Sequence, residues 1–464
     1  MSNVKKGIFY VFIANMINLF VGLFAGFVLP KLLSIETYSD IRLFQLYVTY
    51  LGILHFGFSD GMYLRHGGKS IDEIDKKEVL AEFKTFKVFQ LFITIVAIVV
   101  SLIVQNKILL FCSFVILPVN VGNYLRNLYQ ATGEFKKYSR FTNINTLLIF
   151  FINVILLFIV KSDDPNLYIL MYAVAYFSYW IVLEIENRKI FGKESTKPNK
   201  KYLKSDIKTG FFLMTGNFCN VIFTSIDRLF VQFLMGKIKF AFYSFAVSIE
   251  NLVNALITPI STVMYNYLCN HREAEKVKLL KRVILLFGAA ILLFAYPVKF
   301  VIVHWIPNYI EAIPVLFLLF AAQFVSIVVR CVHINLYKSN KKQNRYFSFM
   351  VLIVGISVVL NLLFFNIFKT MDVIAVATLV TNIIWFIIGE MDMRKYALNF
   401  KDYIFAIVIT ATFVFTIFVS NVWLGLVIFS AIMMISSVAL VPEGVKYMLS
   451  ETKNSINVLM RRGK

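Results

Sequence analysis

Three arginines carry the sharpest chemistry in this chain. Arg126, Arg228 and Arg330 each sit inside a long apolar run. A guanidinium in such surroundings is costly unless it meets an anion. Its planar fork suits phosphate, which it can hold through two hydrogen bonds at once. Arg228 has two acids at its own depth, Asp227 and Glu250. It precedes Lys237 by nine residues, and Glu250 follows Phe240 by ten. At 1.5 Å per helical residue both lie roughly 15 Å from one end of their runs. A pair between Arg228 and Glu250 or Asp227 is therefore expected. It reads either as an internal clamp or as a cationic wall beside a titratable carboxylate that couples an ion. Arg126 and Arg330 lie at the inner ends of their runs. They either snorkel to headgroups or flank a cavity open to the cytoplasm.

Amides form a second set. Asn15 with Asn18, and Asn217 with Asn220, are three apart and share a helix face. Asn120, Asn123 and Asn127 make a similar stripe. An amide facing hydrocarbon is left unsatisfied, so the two pairs must face protein or water. They either bond sugar hydroxyls along one cavity between two halves of the molecule or tie helices together. His55, Asp60, Arg65 and His66 cluster at the inner end of the second run. His55 is of the type that titrates nearest neutrality. With Asp60, Asp227 and Glu250 it is a candidate for ion coupling; the other reading of the cluster His55, Asp60, Arg65 and His66 is an interfacial anchor.

No catalytic constellation accompanies them. There is no GxxxxGK[ST], no GxGxxG on a strand and no HExxH. Cys112, Cys219, Cys269 and Cys331 show neither CxxC nor ligand spacing. No cofactor, no metal site and no enzyme activity are expected.

The elements that must position these residues are membrane helices. Hydrophobic residues make up 59% of 464, charged residues 16%, and the mean hydropathy is +0.75. Soluble domains hold about 45–50% apolar and about 25% charged residues. Fourteen apolar segments are each long enough for one crossing: 8–30, 41–60, 88–105, 108–130, 141–160, 167–185, 209–235, 240–267, 280–303, 312–334, 346–367, 373–391, 403–420 and 422–440. With the N-terminus in the cytoplasm, and with Arg42, Lys281, Arg282 and Lys299 near segment ends counted to the adjoining loops, 36 of the 47 Lys and Arg fall in inside segments, eight outside and three within spans. The formal net charge of +21 is thus a topology signal rather than a nucleic-acid surface. Both termini are expected in the cytoplasm.

The chain also repeats itself. Phe9, Asn15, Asn18 and Tyr38 recur as Phe211, Asn217, Asn220 and Phe240 at an offset of 202. Leu128-Tyr129, Tyr138 and Asn153 recur as Leu336-Tyr337, Tyr346 and Asn361 at an offset of 208. A repeat of six helices preserves orientation, so the halves are parallel repeats of the kind that rock in transporters. The expected fold is an all-α polytopic membrane protein. It has a six-helix lobe over 1–190, a second over 208–392, two further helices over 403–440 and a cytoplasmic tail over 441–464.

Two N-terminal stretches carry a family resemblance. The first is Gly26-Phe27-Val28-Leu29-Pro30-Lys31-Leu32-Leu33-Ser34, with Tyr38-Ser39 and Arg42-Leu43-Phe44-Gln45-Leu46-Tyr47 after it. The second runs His55-Phe56-Gly57-Phe58-Ser59-Asp60-Gly61-Met62-Tyr63-Leu64-Arg65-His66-Gly67-Gly68. They resemble the Wzx-type polysaccharide transporters of the MOP superfamily, which flip O-antigen and capsule repeat units. Ser225-Ile226-Asp227-Arg228 fits more diffusely. The resemblance implies twelve core helices in two lobes plus two more, in the bacterial inner membrane. It implies a flippase moving undecaprenyl-pyrophosphate-linked oligosaccharide to the outer leaflet by alternating access, for lipopolysaccharide O-antigen or capsule. A polysaccharide polymerase and a chain-length regulator are the implied partners. Related lipid II flippases use cavity arginines for pyrophosphate, which makes Arg126, Arg228 and Arg330 candidates by position. Two other readings stand beside it. One is an ion-coupled small-molecule exporter of the same superfamily. The other is a polysaccharide polymerase, which usually carries a large outside loop; here every outside loop is short.

Overall fold

The computed structural model describes residues 2–192, 196–270, 273–340 and 342–450. The tail expected at 441–464 lies outside them from residue 451 onward. Among the described residues every regular element is helical. The chain divides into two compact units, Met1–Ser225 and Ile226–Lys464.

The first unit holds α1 (Ser2–Leu32), α2 (Ile35–Leu51), α3 (Phe58–His66), α4 (Lys76–Val104), α5 (Lys107–Ala131), α6 (Phe135–Val154), α7 (Pro165–Phe191) and α8 (Lys200–Phe223). Short polar residues start these helices by accepting from the first free backbone N–H groups. Asp75, Asn106 and Asn199 cap α4, α5 and α8 in this way, and Asp164 with Pro165 opens α7. α5 is central, packed on α2, α3, α4 and α7, while α1 packs on α6 and α3 on α8. Phe58, Phe83, Phe86 and Tyr124 stack in the core around α5.

The second unit holds α9 (Ile226–Met235), α10 (Lys237–Asn270), α11 (Ala274–Leu292), α12 (Ala295–Trp305), α13 (Ile313–Val328), α14 (Ile334–Ser339), α15 (Gln343–Phe368), α16 (Met371–Asp392), α17 (Phe400–Phe415) and α18 (Val422–Leu440). α13 is its central helix, packed on α10, α11, α16 and α17. A π-helical turn, Val329–His333, joins α13 to α14. The offset of 208 recurs in one pair of connections. Lys161 and Lys369, 208 apart, both adopt left-handed backbone (φ 54° and 53°) just after corresponding helices.

Two expected spans are corrected. Segment 41–60 is not one helix. α2 ends at Leu51, a 3-10 turn covers Gly52–His55, and Phe56 and Gly57 take positive φ before α3 begins. Segment 209–235 breaks at Thr224 and Ser225, whose hydroxyls bond back to the carbonyls of Asn220 and Val221 at 3.0 and 2.6 Å. Such bonds compete with the helix ladder and loosen it. Among the described residues eleven helices are long and apolar enough to cross a membrane, or twelve if α8 and α9 count as one span. The other two of the fourteen segments lie on the broken α2–α3 stretch and on α10.

The division between units falls at that second break. The first part of α8 is tied to the first unit, because α3 and α8 approach with almost no side chain between them. A Cβ on Gly210 would strike the carbonyl of Gly57 and the amide of Gly61.

Candidate functional site

The break between α2 and α3 builds the first polar site. The Gly57 N–H donates to Nδ1 of His55 at 3.0 Å. That bond assigns the neutral ring proton to Nε2, which lies 3.6 Å from Oδ2 of Asp60. Asn217 on α8 donates to Oδ1 of the same carboxyl at 3.2 Å. The structure thus joins two sequence candidates of one cluster, His55 and Asp60, to one of the repeated amides. Asn220, one turn on, is exposed on α8.

One turn below, a second constellation joins α3, α4 and α8. Arg65 contacts Asp206 and lies 3.6 Å from Glu78 and 3.7 Å from Glu82. His66 Nε2 meets Glu82 at 3.0 Å. Glu82, Asp206 and His66 are buried. In the sequence Arg65 and His66 belong to a cluster with an interfacial-anchor reading, and Asp206 falls between the apolar segments 167–185 and 209–235. The available signal was glycine spacing. Gly57, Gly61 and Gly210 permit a backbone approach that draws Asp206 inward.

In the second unit the expected pairing of Arg228 is corrected. The Asp227 carboxylate accepts from Tyr243 Oη at 2.9 Å and from the Arg228 backbone N–H at 2.7 Å. Glu250 accepts from the amide of Gln323. Oε1 of Gln323 in turn accepts from Arg330 Nη1 at 3.0 Å, and the same nitrogen donates to Asn254. Depth along a helix sets height but not azimuth, so two groups at equal depth need not face each other. Among the described residues Arg228 makes no ion pair, and its Nε is buried without a hydrogen-bond partner. Arg330 sits on the π-helical turn after α13 and donates to Asn254 on α10 and Gln323 on α13. Such turns re-aim a side chain and are frequent at functional sites.

The remaining candidates separate. Asn18 accepts from Thr146 Oγ1 at 2.7 Å, tying α1 to α6, and Asn15 is half-buried on α1. Arg126 on α5 is half-buried, with Nε lacking a partner. Asn120 donates to the carbonyl of Leu51 and to Gln90, so it braces the end of α2. Among the described residues no group of three or more His, Cys, Asp or Glu could hold a metal ion. What the arrangement offers is guanidinium and amide donors in an apolar helical frame, with carboxyls close by.

Comparison with known proteins adds the family. No curated protein matches the chain in sequence. In fold the chain is similar to the lipid II flippase MurJ in an inward closed conformation, with TM-score 0.70 and 14% identity, over 94% of this chain and 98% of that one. It is also similar to an outward-facing multidrug-resistance MATE transporter of the MOP superfamily, with TM-score 0.52 and 13% identity, over 84% and 96%. A MOP-superfamily transporter from Pyrococcus furiosus matches with TM-score 0.50 and 12% identity, over 84% and 96%. The family described as polysaccharide biosynthesis protein matches residues 4–269, more than half the chain. This multi-pass helical protein, with the fold of the MOP-superfamily transporters, therefore belongs to the polysaccharide biosynthesis protein family.

Proposed function

We propose that the protein is a flippase that moves undecaprenyl-pyrophosphate-linked oligosaccharide from the cytoplasmic to the outer leaflet of the bacterial inner membrane. The oligosaccharide is a repeat unit of O-antigen or capsule. One conjunction carries the reading: membership of a polysaccharide biosynthesis family in a chain that follows a lipid-flippase fold over 94% of its length. The chemistry of the spans supports it. A flipped pyrophosphate needs cations within roughly 30 Å of hydrocarbon, while the prenyl chain can stay in lipid. Arg228 and Arg126 each keep a buried Nε without a partner, which leaves donor capacity for an anion. Asn217 and Asn220 offer amides to sugar hydroxyls, and Asp60 with His55 is the nearest candidate for coupling.

Deleting the gene tests the reading. Lipid-linked repeat units should accumulate on the cytoplasmic side while surface glycan is lost. Full repeat units gathering unpolymerised in the outer leaflet would point instead to a polymerase. The likeness to MATE transporters favours one further reading, export of a small molecule coupled to an ion. In that case deletion would leave the glycan intact and raise sensitivity to a cationic compound.

A further inference from the structure

Away from these sites, α4, α5 and α7 enclose an open groove of about 530 Å³ on the surface of the first unit. Its volume falls within the roughly 300–1,000 Å³ usual for a small-molecule site. The walls are aliphatic, with Val88 and Leu91 from α4 and Ile181 and Ile185 from α7. All four side chains are exposed, so the groove opens outward. One end carries Lys87, Glu184 and Arg188. Glu184 Oε1 lies 3.0 Å from Lys87 Nζ and 3.5 Å from Arg188 Nε. Among the described residues one carboxylate, Glu184, stands between the two cations. The Arg188 side chain is 61% exposed and meets that acid only at this long distance.

Polarity runs the same way along both helices. α4 climbs from Lys87 to Leu91, and α7, running opposite, descends from Ile181 to Arg188. Both therefore put cations at one end and aliphatic surface one to two turns deeper. That end carries the basic loops which mark the cytoplasmic side. Trp180 lies on the wall beside Ile181, one turn deeper than Glu184. A cationic rim above an aliphatic slot matches an amphiphile with an anionic head and acyl chains.

We infer that the groove of α4, α5 and α7 binds an anionic glycerophospholipid of the cytoplasmic leaflet, its phosphate on Lys87 and Arg188 and a chain against Leu91 and Ile181. The site is independent of the cargo the protein carries.

Trp180 supplies the probe. A protein with Trp305, Trp385 and Trp423 replaced by Phe keeps Trp180 as its one indole. It is reconstituted into phosphatidylcholine vesicles with increasing fractions of brominated phosphatidylglycerol or brominated phosphatidylcholine, whose bromines quench a touching indole. Half-quenching should need about fivefold less of the anionic lipid, the worth of one cation at a membrane surface, here the exposed Arg188. Lys87→Gln with Arg188→Gln should abolish the preference. Lys87→Arg with Arg188→Lys, which keeps the charge, should retain it. Equal quenching by both lipids overturns the inference, as does a preference that survives the double Gln variant. Displacement of brominated phosphatidylglycerol by stoichiometric polyprenyl pyrophosphate also overturns it, because the groove would then hold the transported class of lipid. Glycan export in the deletion strain reports on flipping separately, so the two readings can fail independently.

Discussion

Arg65 is the cation on which the buried acids Asp206 and Glu82 depend. It is the cation shared by Asp206, Glu82 and Glu78, and the first two are fully buried. Removing one partner of a buried pair strands the other charge, at about 3–5 kcal/mol. Arg65→Leu should therefore lower the melting temperature of the detergent-solubilised protein sharply. Adding Asp206→Asn to Arg65→Leu should recover part of the loss, since an amide needs no counter-charge. An unchanged melting curve for Arg65→Leu alone would show that the acids are stabilised otherwise. Arg228 is the opposite case, a cation whose guanidinium makes no ion pair among the described residues. If it holds pyrophosphate through two hydrogen bonds, Arg228→Lys should express normally and export glycan poorly. If only a point charge is needed, the Lys variant should export nearly as well as the parent. Normal export by a well-expressed Arg228→Ala protein would remove the residue from the mechanism.

At the scale of elements, the packing of α3 on α8 is the tightest helix contact around the first polar site. It rests on glycines, and a side chain on Gly210 has nowhere to go. Gly210→Leu should force the helices apart, breaking Asn217–Asp60 and Arg65–Asp206 together and abolishing folding or export. Gly355 on α15 is the control, with nothing within 4 Å of a Cβ built there. Gly355→Ala should leave expression and melting unchanged or slightly improved, since Ala is up to about 1 kcal/mol better than Gly inside a helix. The repeated amides differ in the same way. Asn220 is exposed on α8, whereas Asn18 is engaged with Thr146. In a background lacking the four native cysteines, Asn220→Cys should react readily with a membrane-impermeant thiol reagent and Asn18→Cys slowly. Depletion of lipid-linked substrate should change the first rate. If Asn220→Cys is never labelled from either side, α8 does not line the path.

For the whole molecule, the helices over 403–440 are bound into the second unit by charge. Glu390 on α16 receives Lys281 at 2.5 Å, His333 at 2.7 Å, and the Tyr403 hydroxyl and Leu398 amide at 2.8 Å each. Arg282 holds Asp402 at 2.9 and 3.1 Å and also contacts Glu443. At the other end Lys299 donates to the carbonyls of Ile417 and Val419, at 3.4 and 2.8 Å, completing the end of α17. A chain ending at Leu398 should lose stability by several kcal/mol, because Arg282 would lose both acids and the apolar surface of α13 under α17 would be uncovered. Arg282→Met should partly rescue that truncation. A truncated protein that melts like the parent would mean that α17 and α18 are an independent addition.

The sequence by itself determined the membrane class and the helical content. Hydrocarbon thickness demands about 20 apolar residues per crossing, a demand each segment meets or fails alone. Loop charge follows the same one-dimensional logic, and so does the offset of 208 that reappears in the left-handed Lys161 and Lys369. Tertiary structure decided which charges meet. Depth can be counted along a helix, but azimuth and breaks cannot, so Glu250 turned to Gln323, which also accepts from Arg330, rather than to Arg228. The break at Phe56 and Gly57 brought His55 round to Asp60, and the glycine contact carried Asp206 from an apparent loop into the core. Lys281, Arg282 and Lys299 counted as loop cations in the sequence. Folding buried all three, because their partners lie more than 100 residues further along the chain.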